Sequence, residues 1–409
     1  MQPPPNPRLE YLDAVRAFAL LLGILFHASL SFSPVYFGWA VMDISTSPLI
    51  NHFMLVSHSF RMELFFLIAG FFSHMSFRKK GYKPFLLSRI VRIGIPLIIG
   101  WFVLRPLIVS GWVMGGESLQ GDVDIFSGLA AGFSSLSTLP SGFLTGTHLW
   151  FLYYLLLFTV SFLLMQKLLA LHLPTYHLLN VYIDRAMECL CKTSLGFSVL
   201  VCTTVGSLWL MSHWGVDTPD KSLIPNTPVT ILYGSFFLVG WLLQKNRSFI
   251  DAFTELAWEK IFSCIVGFIV CIQLGSYQSD ITHAFYPWLK LSFLLGYASM
   301  MWGLVMLTMG LFKKLCNTPN AIIRYLADAS YWLYLIHLPI VVWLQIAFAE
   351  IPLHWSAKWV TVFALTIFIS LVLYEGFVRS TRLGKILNGR KQERLSLQKS
   401  CRPPLAHNS

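Results

Sequence analysis

The sequence predicts an all-α, polytopic integral membrane bundle of about ten transmembrane helices, with both termini in the cytoplasm. Three observations carry that expectation. Of the 409 residues, 56% are apolar and 15% aromatic, while only 12% are charged, about half the charged share of an average soluble domain. Ten stretches reach the roughly 20 mostly apolar residues that a spanning helix needs: 11–33, 50–77, 88–111, 148–171, 193–213, 227–244, 259–277, 286–312, 322–349 and 356–379. The basic residues, finally, are shared unequally among the segments between them.

Taken in chain order, the opening MQPPPNPRLE has no basic region before a short apolar core and no small-residue cleavage site. Asp13 and Arg16 sit inside the first run, so it reads as an uncleaved first helix. With the N-terminus inside, cytoplasmic segments collect 24 of the 30 Lys and Arg residues. Three fall outside (Lys221, Lys290, Lys358) and three within spans (Arg16, Arg61, Arg105), which is the bias expected of an oriented membrane protein. The segment 112–147 holds no Lys or Arg but includes Glu117, Asp122 and Asp124, and reads as an outer loop long enough to form part of a binding mouth. No internal repeat is evident, so residues 1–379 read as one transmembrane domain and 380–409 as a basic cytoplasmic tail. Any chemistry then belongs to the bundle.

The net charge of +11 is explained by orientation and does not call for nucleic acid. Seven cysteines lie in predicted spans or cytoplasmic segments and support neither a disulfide framework nor a zinc spacing. No metal site and no HExxH, Walker, GxSxG or GxGxxG pattern in a supporting context is found.

Ionisable groups inside lipid cost several kcal/mol unless paired or hydrated, and so mark candidate sites. The first run, LDAVRAFALLLGILFH, carries Asp13, Arg16 and His27. Eleven steps lead from Arg16 to His27, about 20° past three whole turns, which places both on one helix face roughly 16 Å apart. Asp13, one turn earlier, can pair with Arg16. An interfacial ion pair and a core histidine would explain each residue singly, but three on one face favour a site. The second run, HSFRMELFFLIAGFF, adds His58, Arg61 and Glu63. In RKKGYKPFLLSRIVRIGIP, Arg89 and Arg92 stand one turn apart where the third helix leaves the cytoplasm, as bidentate phosphate ligands would. His148 opens the fourth helix at the outer interface, and His337 lies in the outer half of the ninth, at a depth comparable to His27. These two are acceptor-side candidates.

Together these stretches resemble the membrane acyltransferase family 3. The likeness rests on Arg16-x10-His27, the acidic-L-F-F-x-x-x-G-F run from Glu63 to Phe71, Arg89-x-x-Arg92 followed by Pro96, HLWFL from His148, and S-Y-W-L-Y-x-x-H-x-P from Ser330 to Pro339. One departure is Ala69, where the family commonly has serine. The opening EYLDAVRAFALLLGILFHASLSFS and the FRMELFF and RIVRIGIP segments are most similar to the members that succinylate osmoregulated periplasmic glucans. The resemblance implies a multi-pass enzyme of the bacterial inner membrane that carries an acyl group, succinyl, from cytoplasmic acyl-coenzyme A to a periplasmic carbohydrate. It also implies no permanently bound cofactor. On that reading Arg16, Asp13, Arg89 and Arg92 bind the donor, His27 is the general base, Glu63 orients it, and Arg61 holds the oxyanion or the succinyl carboxylate.

Three other classes compete. An O-acetyltransferase acting on another envelope polysaccharide shares the same residues. A transporter would favour two similar halves with helices broken at matching positions, and no such duplication is visible. A scaffold leaves the aligned polar face unexplained.

Overall fold

A computed structural model describes residues 9–119, 123–137, 148–219 and 223–389. Among them every regular element is a helix, with no strand, and eight helical stretches are long and apolar enough to cross a membrane.

The first is α1 (Glu10–Ser29), with Glu10 and Asp13 in its opening turn, where carboxylates suit the helix dipole. The second, α2 (Pro48–Lys80), starts where the Ser47 hydroxyl accepts from the Leu49 amide and proline occupies the first turn. It stops at Gly81, whose φ of +76° is open to glycine. The third span is compound: α3 (Tyr82–Arg89), a π turn over Ile90–Gly94, and α4 (Ile95–Glu117).

Part of the predicted outer loop is itself helical. The run IFSGLAAGFS forms α5 (Ile125–Ser134) against α4, and its Gly128 and Gly132, one turn apart, meet Met114 and the Pro106 carbonyl with no room for a Cβ.

Then follow α6 (Trp150–Leu169), α7 (Leu173–Lys192), α8 (Ser194–Trp209) and α9 (Thr227–Leu243). The fifth predicted span, 193–213, is α8, shorter than expected at 16 residues, and the segment before it, read as cytoplasmic, forms α7, which meets α8 at 102°. The break has a local cause. Thr193 is extended and its hydroxyl accepts from the Gly196 amide, so the chain restarts a helix instead of continuing one. The sixth, α9, has 17 residues, the short limit for spanning.

The remainder is α10 (Arg247–Phe253), α11 (Trp258–Leu274), α12 (Tyr286–Leu315), α13 (Ala321–Phe348), α14 (Trp355–Leu373), a second π turn over Tyr374–Val378, and α15 (Arg382–Asn388). The start of the predicted tail is thus docked to the bundle, with Leu387 only 5% exposed. Residues 390–409 and the loop positions 120–122 and 138–147 lie outside the described residues.

Packing sets where the cavity forms. The α2 and α9 helices approach backbone to backbone, because Gly70 faces the Phe237 carbonyl and Gly240 the Leu67 carbonyl. Small residues permit such approach where apolar burial alone does not drive helices together. In turn, α1 packs on α13, α2, α12 and α14. Between α1, α2, α6, α13 and the first π turn a space remains.

Candidate active site

That space is a cavity of about 1380 Å³, larger than the roughly 300–1,000 Å³ of an ordinary small-ligand site. On α1 it is lined by Asp13, Arg16, Leu20, Gly23, Phe26 and His27, and just beyond α1 by Leu30. Their three- and four-residue spacing is one helix stripe, so the shared face read from the sequence exists. On α2 it is lined by His58 and Arg61, on the first π turn and its edge by Arg89 and Arg92, and across from these by His148, Tyr331, Tyr334 and His337.

The cations gather at one end. Arg16 donates to the Ala327 carbonyl at 2.6 Å and lies 3.5 Å from the Asp13 carboxylate. Arg89 lies over the Phe85 ring at 4.9 Å, and the Arg92 carbonyl accepts from the Tyr331 hydroxyl at 2.7 Å. The intervening π turn widens the helix locally, a distortion common at functional sites. Both Arg89 and Arg92 have a buried Nε with no hydrogen-bond partner, so capacity to bind an anion is left over.

The histidines gather at the other end. The His27 and His337 rings lie 5.3 Å apart, and His337 and His148 5.4 Å. Their hydrogen bonds differ in kind. Pro339 has no N–H, so the Leu335 carbonyl one turn before it lacks its usual donor. His148 Nε2 fills that gap at 3.0 Å and reaches the Tyr334 carbonyl at 3.1 Å, while the Tyr334 hydroxyl returns a bond to the His148 carbonyl at 2.8 Å. Carbonyls only accept, so His148 carries its proton on Nε2. His337 spends Nδ1 in the same way, on the Tyr334 and Leu333 carbonyls at 2.8 and 3.1 Å, which leaves Nε2 as its lone-pair nitrogen. His27 has a buried Nδ1 with no partner. Its ring stacks on Trp39, centroids 5.7 Å apart and planes 21° apart.

Arg61 lies over the Phe26 ring at 4.0 Å. Its Nη1 is buried and unpartnered. Glu63 requires a correction. It is fully buried but does not line the cavity, and neither carboxylate oxygen has a hydrogen-bond partner, so it does not orient His27. Two residues after Arg61 on one helix is about 200° of rotation, which points the carboxylate away from the wall that Arg61 faces. Among the described residues no cluster of His, Cys, Asp and Glu is arranged to hold a metal ion.

Sequence reasoning missed Trp39 and Gln345. Trp39 comes from the loop after α1 and Gln345 from two turns beyond His337. An amide buried in an apolar run, VVWLQIAF, was the available signal for the second.

Comparison with known proteins accords with this geometry. A family model described as an acyltransferase domain, that of acyltransferase family 3, matches residues 9–375. Glucans biosynthesis protein C of Escherichia coli O1:K1 is 26% identical over 399 residues, 95% of this chain and 97% of that protein. The protein of the same name from Escherichia coli strain K12 is 25% identical over the same shares. No solved structure matches the chain. A match over nearly the whole bundle, with the family's arginine and histidine positions on one cavity wall, makes this multi-pass membrane protein an acyltransferase: it belongs to the membrane acyltransferase family 3.

Proposed function

We propose that this acyltransferase moves a succinyl group from cytoplasmic acyl-coenzyme A to a hydroxyl of a periplasmic glucan, in the bacterial inner membrane. The observation that carries the reading is one cavity with chemically different ends: Arg16, Arg89 and Arg92 at one, His27, His148 and His337 at the other. Coenzyme A has its phosphates at one end and its thioester at the far end of an extended arm. A donor with phosphates on the arginines therefore brings its thioester toward the histidines. The basic residues of the cytoplasmic segments support the orientation. The name of the Escherichia coli relatives supports the glucan, and Arg61, a buried cation with an unpartnered nitrogen on the cavity wall, suits an acyl group that ends in a carboxylate.

On this reading His27 accepts the proton of the glucan hydroxyl as that oxygen attacks the thioester carbonyl carbon. The carbon–sulfur bond breaks, and the imidazolium gives its proton to the leaving sulfur, so coenzyme A departs as the thiol and His27 is regenerated. Arg61 holds the developing oxyanion or the succinyl carboxylate. Arg89 and Arg92 act as planar forks on phosphate.

Mass spectrometry of periplasmic glucans from cells with and without the gene tests acyl group and acceptor together. Loss of a succinyl increment from the glucan is expected. An acetyl increment lost from another polymer would assign the alternative O-acetyltransferase activity. Orientation is checked with single cysteines at Gly121 and Ser396, both outside the described residues, in a cysteine-free background. An impermeant reagent on intact cells should label only the first.

A further inference from the structure

Beside the arginine end of the cavity lies a second, open crevice of about 460 Å³ lined by Lys80, Ser88, Arg92, Lys385, Asn388 and Gly389, among others. Arg92 and Asn388 line both spaces, so the crevice and the cavity share a wall. Four of its residues, Lys385, Ile386, Asn388 and Gly389, come from α15 and the position after it. They lie beyond residue 375, where the family match ends.

The crevice concentrates positive charge. Lys80, Arg92 and Lys385 converge on it, and Arg89 lies within electrostatic reach of Lys80 and Arg92. Among the described residues none of these four is in an ion pair. The nearby carboxylates are engaged: Glu375 accepts from Arg379 at 2.7 Å, and Asp13 faces Arg16. Asp328 lines the cavity but not the crevice. Clustered like charges repel, so the arrangement is stabilised by an anion placed among them. The backbone is shaped for the same purpose. Gly389 has φ +78°, and a Cβ there would collide with the Arg92 guanidinium. Its absence lets the chain end of α15 close onto that group. Asn388 is held in place by donating to the Tyr374 hydroxyl at 3.3 Å.

We infer that this crevice binds a phosphate ester and that α15 completes the site. The inference deepens the proposed donor reading, because a phosphate here lies next to the cavity entrance, where the nucleotide end of an acyl-coenzyme A arrives. The same chemistry is offered by the headgroup of an anionic phospholipid.

The test uses the full-length protein in nanodiscs of phosphatidylcholine. Its probes are coenzyme A, 3′-dephospho-coenzyme A and pantetheine. The variants are Lys385→Gln and Lys80→Gln, singly and together, with Gly389→Ala as a variant that keeps every charge but displaces Arg92. The wild type should prefer coenzyme A to its dephospho form. The double variant should bind coenzyme A about tenfold more weakly, lose that preference, and bind pantetheine unchanged. A second arm measures the thermal midpoint with phosphatidylglycerol added in place of phosphatidylcholine. If only that stabilisation depends on the two lysines, the site is a phosphate site for lipid and the donor assignment of the crevice is overturned. If neither coenzyme A selectivity nor lipid stabilisation changes in any variant, the phosphate site itself is overturned. A wild type that binds no coenzyme A overturns the donor reading of the proposed function, and the lipid arm still decides whether the crevice takes phosphate.

Discussion

Trp39 and Gln345 are joined side chain to side chain: the indole Nε1 donates to Gln345 Oε1 at 2.8 Å. The Gln345 amide nitrogen in turn donates to the carbonyls of His27 and Ala28 at 3.0 and 3.2 Å. These carbonyls belong to the last turn of α1, where helical acceptors are short of donors, and that of His27 also accepts from the Leu30 amide. One amide on α13 therefore ties down both the end of α1 that carries His27 and the ring stacked on His27. Trp39→Phe keeps the stack and loses the bond, whereas Trp39→Leu loses both. We expect Trp39→Phe to retain most acyl transfer, Trp39→Leu to lose more than about tenfold in kcat, a cost typical of misplacing a reacting group, and KM for the donor to stay unchanged in both. A purely structural Trp39 would instead make the two variants alike in kcat at equal thermal stability.

The three imidazoles should separate by substitution. General-base catalysis contributes about 10²- to 10⁴-fold, so His27→Ala should lose that much transfer while still binding coenzyme A. His148 donates to carbonyls, and glutamine can also donate. His148→Gln should therefore keep activity, while His148→Leu leaves the Leu335 carbonyl buried and unpaired at a cost of about 1–3 kcal/mol, read as a lower thermal midpoint. If His27→Ala keeps more than about a tenth of wild-type transfer and His337→Ala is dead, the base is His337, whose Nε2 is already free to accept.

Arg89→Lys and Arg92→Lys keep the charge of the cytoplasmic segment but not the planar fork. Affinity for coenzyme A in detergent should fall in both, with a weaker dependence on salt. Unchanged affinity in both would reduce these arginines to orientation anchors.

Helix contacts supply a stability test. A Cβ at Gly70 or Gly240 would run into the backbone carbonyl of the facing helix, while one at Gly206 on α8 meets nothing within 4 Å. Overpacking costs about 1–3 kcal/mol. Gly70→Ala and Gly240→Ala should thus lower the thermal midpoint in detergent, and Gly206→Ala should leave it unchanged or raise it.

How much was legible in the sequence depended on how local the cause was. The stripe of Asp13, Arg16 and His27 follows from helix period alone, and the structure places all three on the cavity. The same arithmetic argued against Glu63 sharing a face with Arg61, two residues earlier, and the buried, unpartnered carboxylate agrees with the arithmetic. The break between α7 and α8 was legible, since the fifth span reads from 193, where the Thr193 cap restarts the helix, whereas the helix α7 before it was not foreseen. Trp39 was out of reach. Its place over His27 depends on how the loop 33–47 folds back, and that is fixed by residues more than three hundred positions away.

The anchor of that loop gives the last test. Lys358 and Asp43 pair at 2.7 Å with side chains 0% and 2% exposed. Asp43 also accepts from the Ser45 amide at 2.8 Å, and the Ser45 hydroxyl accepts from the Trp355 amide at 3.0 Å. Asp43 is four residues after Trp39, so the pair fixes the segment that carries the stacked ring. Removing one partner of a buried pair leaves an uncompensated charge and costs about 3–5 kcal/mol, whereas an apolar replacement of both is often near neutral. Lys358→Met alone should therefore lower the thermal midpoint sharply, and Lys358→Met with Asp43→Leu should recover much of it. Stability and activity then part company. The double variant has lost the bonds from Asp43 to Lys358 and Ser45 that set the loop, so its kcat should stay below wild type even where its midpoint returns. A double variant that regains both would show that the loop positions Trp39 without this pair.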